Sequence, residues 1–450
     1  MQFAKYLEKL PEWTRFYTVD ELDARTDELV AKYPDRVEVR VEGQSRAGHP
    51  IKVLRIGEGR KKALFYACPH PNEPIGSLVV DHLAELLCVD DELRKQLDTT
   101  FYLIKCVDPD GTKLNEGWFN GPFTVENYAR NFFRPAAFEQ VEWSFPVQYK
   151  TLNFDRPMPE TRALMKVIEE ICPDFIFSLH NAGFGGVYAY ITHDLPAWYE
   201  KLYELTRRFE LPLSLGEPEM PYAVKRAEAV YKFPSIQDSY DFLAENTDKD
   251  PAEIIRAGSS AYGYAQRFCD PLTLVCELPY FYDPRIDDLS ETDTVRRDTV
   301  LRRLDRTEAL YTRVKAVYDG VADQITHPST IRTAVVNFLE TLPGGLQAER
   351  SFASSNPEME KPATQAELLD NEAINPFYHL LLLGMVIRMF EEARDLKPSA
   401  DLDQACEEAE RIFQDHHELV VAKLDYSVIP IRKLVGMQLG AGLEALALLE

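Results

Sequence analysis

The sequence predicts an α/β fold, with a mixed, mostly parallel sheet flanked by helices, followed by an all-α C-terminal domain. Three observations predict it. Short strand-like runs alternate with helical stretches up to about residue 288. Several of those runs are apolar throughout, as strands covered on both faces are. Beyond residue 289 the strand signals stop and long helical repeats take over. A chain of 450 residues also exceeds one ordinary core, so the division expected is a catalytic-type domain over 1–288 and a helical domain over 289–450.

In chain order, residues 20–34 read as a helix with Leu22, Leu29 and Val30 on one stripe. Val37–Val41 and Ile51–Ile56 alternate at period two with a turn between them, and Ala63–Ala67 is a buried strand. Pro74 stands where a helix begins, and Ile75, Leu78, Val79, Leu83, Leu86 and Leu87 keep helical spacing after it. Phe101–Val107 is a strand, Arg162–Ile171 a helix, Phe175–Leu179 a buried strand, and Gly186–Thr192 and Thr273–Leu278 complete the set. Helices are expected at roughly 291–320, 330–341, 375–395, 401–422 and 429–449, with Arg350–Pro362 a flexible loop. The helical domain would serve as a cap over the site or as an oligomerisation surface.

The net charge of −24 argues against nucleic acid and anionic membrane as partners, because phosphate would be repelled. No uninterrupted apolar stretch has the length of a bilayer span. The opening MQFAKYLEKLPEW lacks an apolar h-region, so no signal peptide is expected. Seven scattered cysteines, an odd number and several within apolar runs, suit reduced core thiols in the cytoplasm.

The chemistry concentrates at His70, Glu73 and His180. The first two lie in ACPHPNEP, directly after the Ala63–Ala67 strand, and the third ends the Phe175–Leu179 strand. Two imidazoles and a carboxylate suit one zinc ion and leave a fourth position for water. Open α/β sheets place their sites at such strand ends. Taken singly, each residue is equally a satisfied strand-end histidine or a first-turn carboxylate; it is the combination that points to metal. Glu277, among Leu274, Val275 and Leu278, is a buried-looking glutamate that strengthens the combination. Cys68 and Cys276 beside these residues are small core residues or further ligands. Asp415-His416-His417-Glu418 reads as a solvated helix face, since adjacent histidines point apart.

These segments together resemble the zinc metallocarboxypeptidase family, the carboxypeptidase A/B-like enzymes, as a divergent bacterial-type member with an added C-terminal helical domain. His70-x-x-Glu73 matches the family's first two zinc ligands and Ser178-Leu179-His180-Asn181 the segment with the third. Asp108-Pro109-Asp110-Gly111 is similar to its Asn-Pro-Asp-Gly turn, Arg130-Asn131-Phe132 to the end of its Asn-Arg-Asn-Phe motif, and Pro159–Leu164 also matches. Glu277 matches its catalytic glutamate, and the likeness spans about residues 18–285. The resemblance implies hydrolysis of an amide bond next to a carboxylate-bearing residue, with Glu277 as base and Arg130 gripping the carboxylate. An N-acyl amino acid deacylase, or a non-catalytic zinc scaffold with a partner-binding helical domain, is the alternative.

Departures accompany the match. Ala129 replaces the asparagine that precedes the family's arginine, and residues 111–129 contain no arginine for the oxyanion, only Lys113. The flexible tyrosine expected within 245–257 is missing and Arg256 stands there. Asn131, Arg134 and Arg256 are therefore added to Arg130 as substrate-binding candidates. The partners expected are a peptide or acyl-amino-acid substrate and, through the helices, a second copy of the chain.

Overall fold

Residues 2–449 are described by a computed structural model. After a single helical turn at Ala4–Leu7, the first long helix is α1 (Val19–Lys32), whose start is fixed by a reciprocal capping box between Thr18 and Glu21. Strands β1 (Val37–Gln44), β2 (Pro50–Ile56) and β3 (Lys61–Ala67) follow, then α2 (Ile75–Val89), β4 (Thr99–Ile104), α3 (Val125–Asn131) and α4 (Pro159–Ile171). Next come β5 (Phe175–Leu179), β6 (Tyr188–Ile191), α5 (Pro196–Phe209), β7 (Lys225–Ala227), β8 (Val230–Lys232) and β9 (Leu272–Glu277). The nine strands form one sheet in the order β1-β2-β4-β3-β5-β9-β6-β8-β7. Its four central strands, β4, β3, β5 and β9, are all parallel, with antiparallel pairs toward either edge.

Period-two alternation explains why these central strands look apolar throughout. Along β3, Ala63, Phe65 and Ala67 enter one core while Leu64 and Tyr66 enter the other. In β5, Phe175, Phe177 and Leu179 join the first core and Ile176 the second. Helix α4 covers the second face, where Ala163, Leu164, Val167 and Ile168 pack.

The long helices of the C-terminal region are α6 (Arg296–Val321), α7 (Thr330–Ser355), α8 (Asn375–Leu396), α9 (Ala400–Val421) and α10 (Ile431–Ala447). Helix α10 lies on the first face of the sheet, against α2, α5, β5 and β9. Gly442 permits this: a Cβ there would meet the Phe177 ring at 2.6 Å. Lys61 at the start of β3 donates to Leu449 O at 2.8 Å, and Trp198 of α5 donates to Ala441 O at 3.0 Å. One cluster of buried hydrophobic residues thus runs from Phe3 to Leu446.

Several local expectations are corrected. Short strands at Glu291–Val295 and Pro362–Thr364 pair with each other, so strand structure does not stop at residue 289. Helix α7 runs through Pro343-Gly344-Gly345 to Ser355, where a helix end at 341 and a loop from 350 were expected. Proline removes the donor that would bond the carbonyl four residues earlier. That carbonyl, Leu339 O, instead accepts the Tyr311 hydroxyl at 3.0 Å, and Ile254 packs against Gly344. The run Gln365–Leu396 has the length and mean hydropathy of a bilayer span although charged residues interrupt it, and 72% of its most apolar window is buried inside the fold, as in a core helix.

Candidate metal centre and active site

The turn after β3 carries His70 and Glu73 into the crevice at the carboxyl ends of the central strands, and β5 delivers His180 beside them. One ligand atom from each of the three lies within 4.8 Å of the others. Glu73 Oε1 faces His70 Nδ1 at 3.2 Å, and Oε2 faces His180 Nδ1 at 3.2 Å. All three are almost fully buried, at 4%, 2% and 4% exposure. Glu277, at the end of the neighbouring β9, brings Oε1 within 3.6 Å of His180 Nδ1.

Further polar groups orient these side chains. His180 Nε2 meets Ser178 Oγ at 2.8 Å; Ser178 Oγ and the Tyr66 hydroxyl both donate to Glu142 Oε2, at 3.0 and 2.8 Å. Ser178 was findable as the residue two before His180 on one strand, hence on the same face. Glu142 lies in an irregular segment and gave no sequence signal. Gln438 of α10 donates to His180 O at 2.7 Å and to Cys276 O at 3.3 Å, joining the ends of β5 and β9 from below.

A divalent cation fits this arrangement. His180 Nδ1 is buried without a hydrogen-bond partner, aimed at a carboxylate. Burial opposes the His180 imidazolium, yet Glu73, Glu277 and Glu142 outweigh it and lift its pKa to about 9. Burial and the Arg134 charge hold His70 neutral, at about 3, the form in which an imidazole ligates. Burial drives Glu277 well above the usual carboxylate range, with His180 opposing and Glu73 and Glu219 reinforcing. Excess negative charge around one neutral and one proton-hungry imidazole is the electrostatic form of a metal site lined by nitrogen and oxygen donors.

The other candidates divide. Arg134 reaches the centre: its Nη1 donates to Glu73 Oε1 at 2.8 Å. Arg130 does not. Its guanidinium makes a bidentate pair with Glu410 of α9 at 2.7 and 3.1 Å, stacks on Phe413 and also bonds Glu126, away from the cavity. Asn131 turns back to Asn127, Arg256 pairs with Glu340, and Lys113 pairs with Asp20, so none of them joins the centre. For Arg130 and Arg256 the partners come from the added helices. Ala129 is fully buried under α8, which crosses α3 at Gly384 so closely that a Cβ there would clash with the Ala129 carbonyl. Cys68 and Cys276 are fully buried core residues. His416 is partly buried, its Nε2 on Pro376 O at 2.9 Å, so the Asp415–Glu418 segment is not a wholly solvated face.

A cavity of about 850 Å³ opens over the centre. Its walls come from the sheet side (Tyr188, Tyr190, Glu219) and from the helices (Arg296, Phe338, Tyr378). Tyr188, Tyr190, Glu219 and Tyr378 escaped the sequence reading, although Tyr188 and Tyr190 sit two apart on one strand.

Residues 22–250 match the family model described as zinc carboxypeptidase. The chain is 29% identical over 119 residues to carboxypeptidase E of Caenorhabditis elegans, covering 24% of this chain and 25% of that protein. It is 27% identical over 105 residues to carboxypeptidase B of Astacus astacus, covering 22% and 35%. The matches thus span between a quarter and about a third of the length of these curated relatives. Carboxypeptidase A from Helicoverpa armigera aligns structurally at a TM-score of 0.37 and 15% identity, covering 79% of each chain.

Proposed function

This chain belongs to the zinc carboxypeptidase family, and we propose that it releases the C-terminal residue of a peptide by hydrolysing the last amide bond. The observation that carries this reading is the convergence of His70, Glu73 and His180 beside Glu277. Those three would hold one zinc ion, which when bound supplies Lewis acidity to the scissile carbonyl and to the attacking water. Glu277 takes the proton of that water and returns it to the leaving nitrogen, a task its raised pKa suits. Ser178 and Glu142 fix the His180 ring, and Asn181 N donates to Glu73 Oε2 at 3.2 Å.

Arg134 takes the place of the family's missing arginine. Lying against Glu73, it is next to the reacting carbonyl rather than one residue further along, so its charge meets the developing oxyanion. Residues 289–450 act here as a cap that walls the cavity and keeps water out. A reducing, cytoplasmic setting belongs to the same proposal, since all seven cysteines are free thiols.

Metal analysis, chelation and the Glu277→Gln variant test the reading together. The expected result is bound zinc, activity abolished by chelator, and turnover lowered about 10²- to 10⁴-fold in a variant that still binds zinc. Full turnover by that variant, or by the metal-free protein, would overturn it.

A further inference from the structure

Two of the seven thiols meet at the foot of the sheet, the end remote from the metal centre. Cys172 closes α4 in the left-handed backbone conformation, with φ at 44°, a place glycine usually takes. Cys269 follows a short helix, Ala261–Ala265, and its N–H donates back to Ala265 O at 2.9 Å. The Cys172 thiol donates to Phe268 O at 3.7 Å, the carbonyl of the residue just before Cys269. The two thiols are also in contact: burial, and then a hydrogen bond with Cys172, push the Cys269 thiol up to about 12. Cys172 is exposed and Cys269 half-buried behind it.

Strand register sets them opposite one another. β5 and β9 are parallel neighbours, and Leu272 pairs with Phe175. Cys172 stands three residues before Phe175, and Cys269 three before Leu272. Leu272 N donates to Asp174 O at 3.0 Å, so the pairing extends toward the two cysteines. Neighbouring strands run about 4.8 Å apart, inside the roughly 4.4–6.8 Å between Cα atoms that a disulfide spans. A second pair shares the arrangement but not the access. Cys68 and Cys106 each stand two residues beyond the paired Tyr66 and Ile104 of β3 and β4, yet Cys68 is fully buried and no reagent in solution touches it.

We infer that Cys172 and Cys269 form a redox-modifiable dithiol, which a small-molecule disulfide such as oxidised glutathione converts into a staple between the feet of β5 and β9. The Cys172 thiolate attacks one sulfur of the small disulfide, expels one thiolate and is left in a mixed disulfide. Cys269 then gives up its proton, attacks Cys172 Sγ and expels the second thiolate. The two cysteines lose two electrons and two protons, and the small disulfide takes both up and leaves as two thiols. The new bond closes a loop of roughly 100 residues, which takes freedom chiefly from the unfolded chain. It also fixes the spacing of the two strands whose other ends carry His180 and Glu277. In a reducing setting such a bond forms only when the thiol pool itself is oxidised. The inference stands apart from the hydrolase reading, since no step of it involves the metal centre.

The test treats the full-length protein, as purified, with oxidised glutathione, beside its Cys172→Ser and Cys269→Ser variants. Disulfide mapping by mass spectrometry and thermal melts are run on each. The wild type is expected to yield a peptide linked through Cys172 and Cys269 and no lasting glutathione adduct. Its melting point should rise by about 3–5 °C, the effect of closing so long a loop in a chain of this size, and return with dithiothreitol. Cys269→Ser should stop at glutathione on Cys172, and Cys172→Ser should form neither adduct nor cross-link at these positions. Two free thiols in the treated wild type, a mixed disulfide that persists on Cys172, or a cross-link through any other pair would overturn the inference. A Cys172–Cys269 bond that leaves the melting point unchanged or lower would overturn it too.

Discussion

Gln438 offers the sharpest test of how the C-terminal helix serves the metal centre. It is fully buried on α10, and its Nε2 bonds the main-chain carbonyls of His180 and Cys276, at 2.7 and 3.3 Å. One amide group thus ties together the strand ends that carry a proposed zinc ligand and the proposed base. Gln438→Leu keeps most of the volume, so the packing cost is small. It leaves the His180 carbonyl without that donor, which costs about 1–3 kcal/mol for a buried polar group. Part of this is returned, because Gln438 Oε1 is itself buried without a partner. A net loss of about 1–2 kcal/mol is expected, read as a melting point lowered by about 1–2 °C in a chain of this size. Loosening the backbone behind a ligand also weakens metal binding, by about 10-fold, the lower end of the range for outer-layer changes. Thermal melts of the metal-free protein give the first quantity; zinc competition against a chromogenic chelator gives the second. A variant with unchanged melting point and unchanged zinc affinity would refute the idea that α10 braces the centre.

Two further outcomes follow from the helical region. Tyr311→Phe removes the hydroxyl that satisfies Leu339 O beneath Pro343, and should cost about 1–2 kcal/mol in urea unfolding; an unchanged midpoint would mean that water serves the carbonyl equally well. Asp370 concerns pH. Burial, reinforced by Glu217, lifts its carboxyl to about 8, against about 3.9 in an unfolded chain. Between those values the folded state holds a proton that the unfolded state has released, so stability falls as pH rises from about 4 to about 8. Asp370→Asn keeps the neutral form at every pH. Its melting point should gain on the wild type from pH 5 to pH 9, by about 2 °C or more at the upper end, and a gap that stays constant with pH would contradict the assignment.

The parts of the site legible in the sequence are those fixed by local periodicity. His70, His180 and Glu277 each stand at or just after the end of an apolar strand, and strand ends in a central parallel sheet share one edge, so their convergence was readable without any long-range contact. The arginines were not readable in this way. Arg130 lies in the last turn of α3 and Arg134 four residues further on, beyond the helix, and motif position favoured Arg130. What separates them is Glu410, 280 residues further on, which draws Arg130 out toward α9 and leaves Arg134 alone at the centre. The helix end expected at 341 failed for the same reason, because the tyrosine that satisfies the carbonyl orphaned by Pro343 comes from α6.

The two kinds of information meet in the helical region itself. Its periodicity announced helices, but nothing local distinguishes a helix that walls a cavity from one that underlies a sheet. Phe177 and Leu205 need small residues opposite them, and Gly440 and Gly442 provide these on α10. Ala129 needs one too, and Gly384 provides it on α8. Glycine inside a helix lowers its intrinsic stability by about 1 kcal/mol, so these positions are explained by close approach to another element rather than by propensity. Close approach under the sheet lets Gln438 reach His180 O, and close approach over α3 removes Arg130 from the cavity while bringing Tyr378 and Met385 into its wall. The same helices that draw Arg130 away therefore wall the chamber into which Arg134 reaches.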